Sequence, residues 1–441
     1  MPNRDWVRMA EEGDPPIIVD GDGIVVVDSE GRSWIDVNGG YISVNVGYGR
    51  KEIAEAAYQQ MLRTPYFPPG TTTEPTVELA RKLAEITPGS LSRVFLVSGG
   101  SEANETAIKI ARAYHNRRGE PQRHKNISRR GSYHGATGGV MWLGASPVAP
   151  REDYGPEYPG MLYAPHPNPY RCELGGETPS ECATLCADAV ESIIMSNGPD
   201  TVAAVIAEPI GIPGGAAVPG DEYWPLLRDI CDTYGVLLIA DEVICGFGRT
   251  GKMFAVEHWG VVPDIMTLAK GIVSSYLPLG AAVVKEEVAD YFAGRDNYFH
   301  HVFTASGHPV CAAAGLKNIE IIETEGLVGN AADVGGYFKQ QLEGLMVDHP
   351  IVGDVRGLGL LLSVELVSDR KTKAAFSADA NVPGRMTEKL KRHGLILHVG
   401  SHAMNIGPPL CITRGQVDEI VHAIDLSLWE MEGDLGISST I

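Results

Sequence analysis

Nowhere in its 441 residues does the chain carry an apolar run approaching the ~20 residues that cross a bilayer. The opening stretch, Met1-Pro-Asn-Arg-Asp-Trp-Val-Arg8, also lacks the apolar segment of a secretory signal, so a cytoplasmic protein is expected. Positive charge is in deficit: 36 Lys and Arg against 56 Asp and Glu leave a formal charge of −20. That argues against nucleic acid or an anionic membrane as the main partner. A small anionic substrate stays open, because local charge can meet it. Cysteine is sparse as well, and seven in a chain this long do not make a disulfide framework. Reduced thiols are expected. Cys172, Cys182 and Cys186 form the one cluster, with His166 upstream, but the paired Cys-x2-4-Cys knuckles of a zinc site are missing, so no metal is expected. Neither Gly-x-Gly-x-x-Gly nor Gly-x4-Gly-Lys-Ser supports the strand-turn-helix described below, which weakens dinucleotide and nucleoside-triphosphate readings. Internal repeats, low-complexity tracts and a flexible interdomain linker are absent too.

What is present reads as a globular α/β chain. Hydrophobic content of 44% and charge of 21% are ordinary, and the length allows a large core in two or three domains. The first sixty or so residues suggest short strands with glycine turns, Ile24–Asp28 and Trp34–Val37 among them. From about Thr76 the texture becomes alternating helix and apolar strand. Val77–Ile86, Ser101–Arg118 and Tyr223–Tyr234 have helical periodicity; Arg93–Val97, Val202–Ala207, Val236–Ala240 and Ile265–Ala269 are apolar strand-like runs. Such alternation predicts a mainly parallel sheet covered on both faces, with active groups at the carboxyl ends of its strands. After the helical stretch Ala312–Glu325 a helix-strand-helix pattern follows, with a late strand over Asp354–Leu366 and a closing helix over Val417–Glu432. The expected division is residues 1–60 joining a small domain, 61–326 forming the large domain and 327–441 completing the small one.

Chemistry-bearing residues fall at those strand ends. Leu96-Val-Ser-Gly-Gly-Ser-Glu-Ala-Asn-Glu-Thr106 reads as strand, turn and helix start, where free N–H groups can hold a phosphate. Gly99 and Gly100 would let the backbone approach it and Ser101 would add a hydroxyl, although Ser101 could equally cap the helix. Tyr133-His134-Gly135 could place an aromatic face against a planar group, or simply fill space. Glu208 and Asp241 each close an apolar strand; such a pair could hold Mg²⁺, yet the phosphate-loop lysine of an NTPase is missing. Lys270 ends the apolar run Ile265-Met-Thr-Leu-Ala-Lys-Gly-Ile272, where burial would lower its pKa enough to attack an aldehyde, unless it is a solvent-facing strand end. A lysine for a Schiff base and an aspartate to hold a pyridinium nitrogen protonated suit pyridoxal 5'-phosphate chemistry.

Together these segments resemble the class III (omega-) aminotransferases, pyridoxal-phosphate enzymes of fold type I. The resemblance runs from about Trp34 to Ile420 and rests on Ser98-Gly-Gly-Ser-Glu-Ala-Asn-Glu105, Tyr133-His134-Gly135, Ala207-Glu-Pro209, the run 240–251 from Ala-Asp-Glu-Val to Gly-Arg-Thr-Gly, and the lysine block 268–281. It implies a large domain with a mainly parallel, seven-stranded type of sheet and a smaller α/β domain built from both chain ends. It further implies that Gly100 and Ser101 cradle the phosphate, Tyr133 and Val243 cover the two ring faces, and His134 supports the Tyr133 side. Asp241 would pair with the ring nitrogen and Glu208 would position it. Thr304 would reach the phosphate of a partner subunit, giving a homodimer with shared active sites, with dimers able to pair into tetramers. Arg414, in Ile406-Gly-Pro-Pro-Leu-Cys-Ile-Thr-Arg414, would grip a substrate carboxylate.

Two departures from the family pattern stand out. Gly211 replaces a glutamine common after Glu-Pro-Ile, which weakens ornithine- or GABA-like assignments. Ile42, Pro69 and Gly70 stand near where pyruvate-linked relatives often place bulky aromatics, so a differently shaped, roomier pocket is expected, with Tyr133 and Ile42 on its substrate side. The expected reaction moves an amino group from an amine or omega-amino acid to a keto acid, pyruvate first among them, by ping-pong steps through pyridoxamine phosphate, with Lys270 as nucleophile and base. A decarboxylase or aminomutase on the same scaffold is the alternative, since the cofactor residues alone do not separate them.

Overall fold

A computed structural model of the chain describes residues 16–68, 70–144, 151–400 and 402–437. Its centre is a seven-stranded sheet in the order β4 (Leu91–Val97), β10 (Gly280–Lys285), β9 (Ile265–Leu268), β8 (Leu237–Asp241), β7 (Val202–Ala207), β5 (Lys125–Arg129) and β6 (Met161–Ala164). Strands β9, β8, β7, β5 and β6 run parallel, while β10 runs antiparallel between β9 and β4. Strand β10 is what the expectation of a mainly parallel sheet left undescribed.

Continuous apolar runs suit this sheet because both of its faces are covered. Every residue of β7, β8 and β9 is buried. Side chains alternate between faces along a strand, and the packing follows that alternation. Ala204, Ile206, Leu237 and Ile239 meet Ala107, Ile110 and Ala111 of the helix Gly100–Arg117 on one side. Val205, Ala207, Leu238 and Ala240 face the main core with Trp224 and Leu227 of the helix Tyr223–Tyr234 on the other.

The chain ends meet through backbone pairing. Strands β1 (Ile18–Asp22), β2 (Val25–Asp28) and β3 (Ser33–Asp36) form an antiparallel meander. To it β13 (Leu395–Ile396) adds in parallel, pairing Leu395 with Ile35 and Ile396 with Asp36. A second sheet joins β11 (Val352–Leu358), β12 (Leu361–Leu366) and β14 (Ala403–Ile406). The single strand expected over Asp354–Leu366 is therefore a hairpin. Gly359 makes its turn with φ +56°, and a Cβ there would lie 2.4 Å from the Thr250 carbonyl carbon. Only glycine satisfies both demands.

Asp36 anchors the segment that follows β3. Its carboxylate accepts the N–H groups of Asn38 and Gly40 and the Tyr48 hydroxyl at 2.6 Å. The short turn thus held carries Tyr41 and Ile42 over the carboxyl edge of the large sheet.

Candidate active site

At that edge a cavity of about 600 Å³ opens between the strand ends, the 38–42 turn and the segment after β13. Its phosphate-type corner is the start of the helix Gly100–Arg117. The N-cap is Gly99, which has no side chain to satisfy the first-turn N–H groups. Ser101 does not cap its helix; its Oγ instead accepts the Ala136 N–H at 3.1 Å. The loop carrying Tyr133 can lie this close because position 135 is glycine, with φ +136° and an imaginary Cβ 2.6 Å from Ser101 Oγ. A Cβ on Gly100 would stand 3.0 Å from Val243, so the helix start and Val243 form adjoining walls.

Asp241, the last residue of β8, is held from three directions. Asn104 Nδ2 and His134 Nδ1 each lie 2.8 Å from Oδ2, and the Val243 N–H donates to Oδ1 at 3.1 Å. Asn104 also donates to the His134 carbonyl, locking helix and loop to the acid. Glu208 sits one strand over, 2.7 Å from the Arg129 guanidinium, and accepts the Tyr133 N–H at 3.1 Å. Burial alone would raise its pKa; the neighbouring His134 and Arg129 outweigh that and hold it at about 2. Glu208 is thus a fixed anion that sets the Tyr133 loop.

Lys270 closes the constellation. It follows β9 with φ +47°, a left-handed conformation that strains a non-glycine residue. Ile42 and Ser275, at +55° and +58°, line the same cavity, so strained backbone collects around it. Burial lowers the Lys270 amine to about 8, nearby Arg249 adding to the fall and Asp241 opposing it. Its Nζ donates to the Tyr41 carbonyl at 2.7 Å. A substantial neutral fraction near pH 8 is what a nucleophilic amine requires.

Gly100, Ser101, Tyr133, His134, Glu208, Asp241, Val243, Lys270 and Ile42 all line this one cavity. Thr304 does not; it is exposed, and its carbonyl accepts the Tyr66 hydroxyl. Arg414 corrects the expectation placed on it. It is the first residue of the closing helix, its side chain is 56% exposed, and it pairs with Asp333 at 2.9 Å beneath the Tyr337 ring. The segment 406–414 does approach the cavity, but through its first residues: a Cβ on Gly407 would stand 2.6 Å from Ile42. The helix start then carries Arg414 outward. Pro69 lies outside the described residues. Cys172, Cys182 and Cys186 bring their sulfurs within 4.8 Å of one another. His166 is elsewhere, buried beside Gly211, where a Cβ would come 2.1 Å from its Nε2.

The family described as aminotransferase class-III matches residues 9–428. The chain belongs to the class III aminotransferases. Among its relatives is a putrescine–pyruvate aminotransferase of Pseudomonas aeruginosa, 39% identical over 95% of this chain and 91% of the relative. A taurine–pyruvate aminotransferase of Bilophila wadsworthia is 39% identical over 96% and 94%. The crystal structure of a thermostable (S)-enantioselective omega-transaminase from Thermomicrobium roseum superposes with a TM-score of 0.94 at 41% identity, covering 98% of this chain and 96% of that one. The protein is thus a transaminase of the pyridoxal-phosphate-dependent class, on the family's α/β fold. None of these relatives is a decarboxylase or an aminomutase.

The aminotransferase's cavity fits that cofactor on its own evidence: an uncapped glycine helix start, a triply anchored carboxylate, and a buried, pKa-lowered lysine face one space. Sequence reasoning missed four residues here. Asn104 lay inside the quoted helix-start segment, but its role shows only in its contacts with His134 and with Asp241, 137 positions away. Arg129 carries no local mark as the partner of Glu208, 79 positions away. His398 and Asn405 line the cavity from the small domain side, and no motif pointed to them.

No helix among the described residues is long and apolar enough to cross a membrane.

Proposed function

We propose that the aminotransferase moves an amino group from an amine or omega-amino acid to pyruvate in two half-reactions at this cavity. The observation that carries the reading is the single space shared by Lys270, Asp241 and the Gly99–Ser101 helix start, walled on the substrate side by Ile42, Ile210, Ile212 and Leu277. Apolar walls suit a donor with a hydrocarbon body and no carboxylate beside its amine. Pyridoxal phosphate, when bound, supplies the aldehyde that accepts the amino group and the ring that stabilises charge at the substrate carbon. Gly100 and Ser101 would hold its phosphate, Asp241 would keep its ring nitrogen protonated, and Tyr133 and Val243 would flank the ring. His134 and Asn104 hold Asp241 in place, and Glu208 with Arg129 positions the Tyr133 loop. Lys270 would hold the proton and move it to and from the substrate carbon.

Thr304 serves the partner's site in a homodimer. Exposed Tyr58, Met61, Leu62, Tyr66 and Phe67 support a buried interface around it. The division at residues 60 and 326 places the cavity between the large domain and the joined chain ends. A cytoplasmic location accords with seven unpaired cysteines. The test is spectroscopic: excess putrescine, taurine or an arylalkyl amine should deplete the cofactor's visible absorption band, and pyruvate should restore it. A band that no amine depletes would sink the proposal.

A further inference from the structure

Away from the cavity, the loop after β6 and the helix that follows it bring three thiols together. Cys182 and Cys186 lie in the helix Pro179–Asn197 and are fully buried. Four residues apart, they share one face of that helix. A capping box fixes the helix start. Thr178 Oγ1 accepts the Glu181 N–H at 3.2 Å, and the Glu181 carboxylate accepts the Thr178 N–H at 3.1 Å. Cys172 returns to that face from the loop. The loop turns at Gly175, with φ +78°, and a Cβ on Gly176 would lie 2.7 Å from the Cys182 nitrogen. Glycine at 176 is what lets loop and helix touch. All three sulfurs then lie within 4.8 Å of one another, with Cys172 half-buried. None of the three lines the cavity.

The spacing along the chain lacks the paired knuckle of a zinc site, yet a helix face supplies two ligands in its place. Zinc–sulfur bonds of ~2.3 Å in a tetrahedral array put the sulfurs ~3.8 Å apart, so the trio closes by no more than about 1 Å. Sulfur ligands select thiophilic cations and reject magnesium and calcium, which take oxygen. An iron–sulfur cluster needs a fourth protein ligand. The Gly176 N–H donates to Cys172 Sγ at 3.3 Å, a bond that also steadies a thiolate. The Cys186 sulfur and burial push the Cys182 thiol up, and burial pushes Cys172 up. These are therefore neutral thiols, and a cation enters by displacing their protons.

We propose that Cys172, Cys182 and Cys186 form a binding site for a divalent thiophilic cation of the zinc type, with water in the fourth position. On binding, three S–H bonds give way to three sulfur–metal bonds, and three protons pass to solvent. The role is structural, because the loop pinned to the helix carries Tyr170 and Arg171 to β12 and the segment after it. Arg171 pairs with Glu365 of β12, and the Tyr170 carbonyl accepts the Lys373 Nζ at 2.7 Å. A bound cation ties the helix, through that loop, to β12. It takes no part in the transfer chemistry.

The experiment titrates the reduced holoenzyme with Cd²⁺, a spectroscopic stand-in for zinc, and follows the ultraviolet sulfur-to-metal charge-transfer band. The band should saturate at one equivalent per chain, with about three protons released in dilute buffer. Cys172→Ser, Cys182→Ser and Cys186→Ser should each lower Cd²⁺ affinity at least about a hundredfold, since losing an outer-shell partner alone costs about 10–100-fold. Cys411→Ser should bind as the wild type does. Zn²⁺ should raise the melting temperature of the wild type by a few degrees and leave that of Cys172→Ser unchanged. Cys172 is half-buried, so its serine variant keeps the buried helix pair and tests the site even where the helix variants fold poorly. No band at one equivalent, or a band undiminished in Cys172→Ser, would overturn the site. A band that grows only with many equivalents of Cd²⁺ would mark scattered thiols and overturn it too.

Discussion

The floor and the mouth of the cavity are built in opposite ways. On the floor, Asp241, His134, Asn104, Glu208 and Arg129 are all buried and hydrogen-bonded to one another across four segments. At the mouth, Tyr41 is 78% exposed on the turn after β3, and His398 is exposed just after β13. The floor is charge-compensated and fixed, as a group that must tune one cofactor would be. The mouth is open to solvent, as befits a surface that must admit two unlike substrates in turn. A preorganised floor and an adaptable mouth divide catalysis from selectivity.

The sharpest way to break this contrast is at the floor. Lys270→Ala should lower turnover at least about a thousandfold. Loss of the visible band's amine response should accompany it, and a variant with near-normal turnover would remove the lysine from the mechanism.

Next in size is the wall behind Glu208. His166 fills the space a side chain at 211 would need, which accounts for the glycine where relatives often carry glutamine. Gly211→Gln should destabilise the protein by about 1–3 kcal/mol through overpacking. His166→Ala should relieve much of that in the double variant. Thermal melts of the four proteins measure it, and a double variant no better than Gly211→Gln alone would refute the fit.

Two buried glutamates, one in the floor and one next to Asp241 in the chain, then sharpen the comparison. Glu208, among positive partners, is held at about 2, whereas burial raises Glu242 to about 8 against the opposing hydrogen bonds from the Val256 and Ala255 N–H groups. A carboxyl with a folded pKa above its unfolded value stabilises fully below the unfolded value and loses that contribution as pH rises through about 8. Glu242→Gln should therefore flatten the decline in Tm between pH 5 and 9, raising Tm by a few degrees at the alkaline end. Parallel profiles for variant and wild type would show that Glu242 is not the group responsible.

The smallest effect belongs to Arg414→Ala. An ion pair as exposed as Arg414–Asp333 contributes about 0–1 kcal/mol. KM for pyruvate should stay within about twofold, a change well under 1 kcal/mol. A large rise in that KM would return Arg414 to the acceptor site.

Much of this was legible in order along the chain. The apolar runs of β7, β8 and β9 announced a sheet covered on both faces, and residues at their ends announced where chemistry would gather. Gly99-Gly100-Ser101, Asp241 and Lys270 could be picked out because each is a local break in a regular pattern. Arg414 was misread because a motif's position along the chain does not say which way a helix start faces. The hairpin at Gly359 was read as one strand because its two legs carry the same apolar texture.

Local pattern was enough for the family, the fold and the picking out of Gly100, Ser101, Asp241 and Lys270, since periodicity and motif spacing are properties of neighbouring residues. Only the tertiary structure decided that Asn104 anchors Asp241, that His166 stands in the place of a residue-211 side chain, and that His398 rather than Arg414 faces the cavity. Those relations join residues up to hundreds of positions apart, and it is strand pairing and packing, not local pattern, that bring them together.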